Sequence, residues 1–137
     1  MILLDAHLKV DYPGKPGVLD DFQFKLDSGE ICGLAGESGS GKSTFARALL
    51  GLMDGRRSGT LRFDGLDLLS LREREYRSLR GRVISYVPQS PLAALNPYRR
   101  VESHFREAWI VHEPKRPREW RDAAVAALRA ARSSEDL

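Results

Sequence analysis

Gly36-Glu37-Ser38-Gly39-Ser40-Gly41-Lys42-Ser43 is the stretch from which this chain is read. It matches the pattern G-x-x-x-x-G-K-[ST] in full. Before it runs Glu30-Ile31-Cys32-Gly33-Leu34-Ala35, apolar enough for a buried parallel strand. After it, Ser43 to Met53 has helical composition. Phe45, Leu49 and Leu52 fall near one face, and Ala46, Ala48 and Leu50 fit a helix. Strand, glycine loop and helix in that order disfavour the plain alternative, a glycine turn with an incidental lysine.

The chemistry of such a loop is specific. Glycines at 36, 39 and 41 let the backbone take positive φ and approach a ligand closely. Successive N–H groups then turn inward as an anion nest, through Glu37, Ser38 and Ser40. A helix starting near Lys42 adds unpaired N–H donors and a positive dipole end. Lys42 supplies a cation for β- and γ-phosphates. The Ser43 hydroxyl is a hard oxygen suited to Mg²⁺, and Thr44 adds a second hydroxyl. Glu37 would meet like charge on a triphosphate, so its side chain is expected to point outward.

Outward from the loop, the pattern is a short α/β chain. Ile2 to Val10 roughly alternates, as a strand does. Tyr12 to Gly17 is a turn cluster. Val18 to Leu26 alternates again, with Phe22, Phe24 and Leu26 on one face. These two strands are expected to pair antiparallel. Gly59 to Gly65 reads as a short strand, Leu71 to Leu79 as a charged helix, and Arg82 to Val87 as a strand stopped by Pro88. From Ser90 the character changes to a loop with Pro91 and Pro97. Helices follow at Val101 to His112 and Trp120 to Arg132, then a polar tail at 133–137.

Composition bounds the function. The 137 residues are 42% hydrophobic and 30% charged, an ordinary globular balance. A chain of this length can bury roughly two-thirds of its unfolded surface. No apolar run approaches the roughly 18 residues of a membrane span, and Met1-Ile2-Leu3-Leu4-Asp5 does not start a secretory signal. One cysteine, Cys32, excludes an internal disulfide and is expected as a small buried hydrophobe in a reducing cytoplasm. The net charge of +3 is uneven, because 14 of the 22 basic residues fall in 69–137. Acidic residues interleave the arginine-rich patches, so they read as solvated helix faces. Nucleic acid is not expected as a partner.

Two further motifs carry a family resemblance. Tyr12 lies 30 residues before Lys42, in Asp11-Tyr12-Pro13-Gly14. Val83-Ile84-Ser85-Tyr86-Val87-Pro88-Gln89 places Gln89 47 residues after Lys42. With the loop and the two leading strands, they make the chain resemble the N-terminal part of an ATP-binding-cassette transporter ATPase. The stretch Gln89-Ser90-Pro91-Leu92-Ala93-Ala94-Leu95-Asn96-Pro97 is similar to the Q-loop extension of the peptide and nickel importer branch.

The resemblance implies ATP and Mg²⁺ as cofactors. It implies adenine stacked on Tyr12, phosphates on 36–44, and Gln89 beside Mg²⁺ and the attacking water, with Lys42 and Gln89 in the catalytic role. It implies a P-loop NTPase-type α/β domain with an N-terminal antiparallel β-subdomain and the start of a helical subdomain. Residues 1–89 would form the β-subdomain and P-loop core, and 90–137 the Q-loop extension and a partial helical subdomain. Implied partners are transmembrane permease subunits, a second nucleotide-binding subunit in a homo- or heterodimer, and indirectly a solute-binding protein. Such a chain works in the cytoplasm, peripheral at the inner face of the membrane.

The family pattern also implies motifs that are not found here. There is no Leu-Ser-Gly-Gly-Gln signature, no Walker B strand and no switch histidine in context. His7, His104 and His112 read as surface or packing residues. The expectation is a truncated domain that binds nucleotide without hydrolysing it alone, with an apolar strand edge uncovered. A non-hydrolysing remnant and a different P-loop ATPase or kinase are the alternative readings.

Overall fold

The computed structural model describes residues 1–133. The 134–137 part of the predicted polar tail lies outside the described residues. The chain divides into two compact units, Met1–Ser85 and Tyr86–Leu137.

The first unit is built on a four-stranded antiparallel sheet of order β2-β1-β3-β4. The strands are β1 (Ile2–Tyr12), β2 (Lys15–Asp27), β3 (Arg56–Phe63) and β4 (Leu66–Asp67). The alternation of the sequence becomes the two faces of β1. Leu4, Ala6, Leu8 and Val10 are buried, while His7 and Lys9 are exposed. In register, Ala6 sits opposite Phe24 on one side and Leu61 on the other. Helix α1 (Lys42–Leu49) packs Phe45 against the same face. Its ring lies 4.7 Å from Phe22 and 5.1 Å from Phe24, tilted in both cases. The expected antiparallel pairing of the first two strands is therefore present. Between Leu8↔Phe22 and Val10↔Leu19, β2 carries one extra residue, a bulge at which Asp21 takes φ 52°.

Helix α2 (Glu73–Leu79) closes the unit by placing Tyr76 in the core, 3% exposed. The Tyr76 hydroxyl donates to the Leu68 carbonyl at 2.5 Å and accepts from Arg57 Nη1 at 2.8 Å. Arg57 also donates to the Ala48 carbonyl, and Arg80 Nε donates to the Leu50 carbonyl. Two guanidinium groups thus neutralise the negative end of α1 while flanking the Tyr76 ring.

Four expectations are corrected. Residues 30–35 are not a strand: they pair with no described strand, and Ile31 is fully exposed. Residues 82–87 make only an isolated Arg80↔Ile84 bridge, with Val83 and Val87 exposed. A parallel strand is held by lateral hydrogen bonds, and apolar composition alone provides no neighbour. Cys32, read as buried, is exposed for the same reason. Helix α1 also ends at Leu49, not Met53, where Gly51 at φ 62° turns the chain.

The second unit holds helices α3 (Val101–His112) and α4 (Trp120–Ser133), which pack on each other. Phe105, Ala108 and Trp109 share a groove with Trp120, Ala123 and Ala127. The Trp109 indole donates to the Arg116 carbonyl at 2.6 Å and pins the connection between the helices. No residue of α3 is fully buried.

Candidate nucleotide site

The glycine loop leads directly into α1, with Gly41 as its N-cap at φ 91°. A β-carbon at Gly41 would lie 2.4 Å from Leu19 Cδ2 and 2.9 Å from the Val18 carbonyl oxygen. Glycine is therefore required twice over, by conformation and by the close approach of β2. A β-carbon at Gly36 would meet Ser40 Oγ at 2.8 Å. The loop is thus drawn in on itself at one end and against β2 at the other.

Lys42 folds back over this loop. Its ammonium donates to the carbonyls of Gly36 and Glu37, each at 2.7 Å, and to Ser40 Oγ at 3.2 Å. Three donors have three oxygen partners, all of them groups that phosphate oxygens can replace. Gly41 offers no side-chain cap and the first turn of α1 holds no acidic residue. The first-turn N–H groups and the positive helix end face no counter-charge on their own helix. That arrangement can hold an anion.

The other predicted residues are placed as follows. Glu37, Ser38 and Gly39 are exposed on the loop. Ser43 is exposed and Thr44 half-buried in the first turn of α1. Tyr12 ends β1 opposite Lys15, half-buried and packed against the core. It stands two residues beyond Val10, whose partner Leu19 abuts Gly41. Gln89 is exposed in the second unit, whereas the loop residues belong to the first.

The sequence reading missed the wall that Val18 and Leu19 build behind Gly41. The signal was two apolar residues directly after Gly17, where the β2 alternation slips.

Among the described residues, no group of three or more His, Cys, Asp or Glu side chains could hold a metal. Ser43 is the hydroxyl that would hold a Mg²⁺ ion here, the other oxygens coming from nucleotide phosphates and water. An exposed hydroxyl beside an anion cradle fits that requirement.

A glycine loop closed by a lysine at an uncapped helix start defines the phosphate-loop class of nucleotide-binding proteins. The chain belongs to the ABC transporter family, whose model matches residues 19–136. It is 38% identical to the oligopeptide transport ATP-binding protein OppD of Salmonella typhimurium over 98% of this chain and 42% of that protein. It is 39% identical to the Escherichia coli OppD over 89% of this chain and 37% of that one. A putative peptide import ATP-binding protein of Brucella abortus is 38% identical over 90% of this chain and 39% of its own length. The chain therefore spans about two fifths of the length of these curated relatives. No described helix is long and apolar enough to cross a membrane.

Proposed function

We propose that this chain is the nucleotide-holding part of an ATP-binding subunit that energises peptide import. The observation that carries the reading is Lys42, held by the Gly36 and Glu37 carbonyls at the open N-terminus of α1. A triphosphate entering the loop takes over the ammonium and the first-turn N–H groups together. With nucleotide bound, the Ser43 hydroxyl would hold Mg²⁺ and Tyr12 would offer its ring to adenine; the role beside the metal and the water that the resemblance implies for Gln89 is part of the same proposal. Residues 1–89 act as the nucleotide part, and 90–137 as the part that meets membrane subunits.

Peptide is favoured over nickel by the names of the relatives, which are oligopeptide and peptide import proteins. The proposed partners are permease subunits, a second nucleotide-binding subunit and, indirectly, a solute-binding protein. The proposed place of work is the cytoplasmic face of the membrane.

Hydrolysis needs a carboxylate that orients or deprotonates water. The 137 residues offer no Walker B pair for that role. The chain by itself therefore binds Mg-ATP without turnover. Thermal unfolding with and without Mg-ATP, beside a phosphate-release assay, tests this directly. The expected result is a melt that rises with Mg-ATP, no phosphate release, and loss of the rise in Lys42→Ala. An unchanged rise in Lys42→Ala overturns the loop assignment, and steady phosphate release overturns the non-hydrolysing reading.

A further inference from the structure

A second cluster of cations lies wholly within the second unit and needs no nucleotide. Glu102, Ser103 and Arg106 come from one face of α3, Arg118 from the connection, and Trp120 and Arg121 from the start of α4. Together they line one surface cavity. Arg121 lies 5.3 Å over the Trp120 ring and 3.8 Å from Glu102. Glu102 is the only acid lining the cavity, and it is shared with Arg100 at 4.0 Å. Arg106 and Arg118 make no ion pair or hydrogen bond with any described residue. The Trp109–Arg116 hydrogen bond and the Arg116–Glu119 pair at 3.7 Å anchor the connection on both sides of Arg118.

Three guanidinium groups and one carboxylate leave the cavity with a net charge of +2. Two guanidinium forks and a half-buried serine hydroxyl line the same cavity, and these are the donor types that bind phosphate oxygens. A carboxylate would leave one cation unanswered, whereas a phosphate dianion answers both. The Trp120 ring adds an apolar wall for the group that bears the phosphate. We propose that this cavity is a phosphate-ester site, distinct from the glycine loop, gripped by Arg106, Arg118 and Arg121. The same chemistry is offered by a soluble phosphate ester and by a lipid headgroup.

The test uses the full chain carrying Lys42→Ala, so that the loop lysine does not contribute. Tryptophan fluorescence is followed as inorganic phosphate is added, with sodium chloride at matched ionic strength as the comparison. The expected result is a saturable response to phosphate alone, about tenfold weaker in Arg106→Gln and in Arg118→Gln. Arg106→Lys keeps the charge and loses the fork, and is expected to fall between the two. Circular dichroism checks that each variant is folded; if one is not, the phosphate-against-chloride comparison still decides. Co-sedimentation with phosphatidylglycerol but not phosphatidylcholine vesicles, absent in the arginine variants, assigns the phosphate to a lipid. Saturable phosphate binding without sedimentation assigns it to a soluble ester. An equal response to chloride, or wild-type affinity in both folded glutamine variants, overturns the proposal.

Discussion

Gly41 and Tyr12 show how much a single position can decide. Gly41 is at φ 91° with β2 pressed against its α-carbon. Gly41→Ala must strain the backbone and push Leu19 aside, at a cost of about 1–3 kcal/mol from the backbone alone. The expected outcome is a lower melting temperature together with loss of the Mg-ATP shift, read in the same thermal scan. Tyr12 is half-buried and packs against the core. If adenine stacks there, Tyr12→Ala weakens ATP binding by about 1–3 kcal/mol, by analogy with base–aromatic stacking, while Tyr12→Phe leaves it near wild type. Equal losses for ATP and inorganic triphosphate in Tyr12→Ala would count against stacking. The loop was legible from sequence because its spacing is a local backbone demand. Cys32 was not, because burial depends on which strands lie alongside, and no local pattern states that.

At the scale of elements, the hairpin β1–β2 and helices α3 and α4 were readable because one face of each is apolar and the other polar. Segments 30–35 and 82–87 were misread because apolar, β-branched or aromatic content says only that burial in a strand is favourable, not what covers the segment. The Tyr76 cluster was invisible for another reason. Arg57, Tyr76 and Arg80 are scattered along the chain, and only the fold brings them to the end of α1. Arg80 there forms a two-pronged pair with Glu73, at 2.7 and 2.9 Å. The hydrogen bond from Arg80 holds the Glu73 carboxyl below its ordinary value of 4.5. A lowered carboxyl contributes stability above its unfolded pKa and loses it as pH falls through the folded one. The expected outcome is that Glu73→Gln melts earlier than wild type at pH 7, and that the gap closes as pH drops below about 4.5. A gap that stays constant from pH 7 to pH 3 would remove the ion pair as its cause.

For the molecule as a whole, the buried apolar residues among those described fall between Leu4 and Tyr76, all inside the first unit. The second unit has two helices packed on each other through half-buried tryptophans and alanines, with no fully buried residue on α3. Local opening free energy follows buried apolar contact, so the two units should not share one stability. Helix α3 is 12 residues long, a length at which an isolated helix is marginal in water. Native-state hydrogen exchange on the full chain is therefore expected to protect β1, β3 and α1 most strongly. The amides of α3 and α4 should exchange faster by at least about tenfold, which corresponds to roughly 1.4 kcal/mol of opening free energy. Mg-ATP should slow exchange in the first unit around 36–44 and leave α3 and α4 almost unchanged, because the loop and its helix lie in the first unit. Phosphate added to the Lys42→Ala chain should do the reverse, slowing the 102–121 region alone. Uniform protection across both units would mean that they unfold as one body, and would locate stabilising contacts beyond those within each unit.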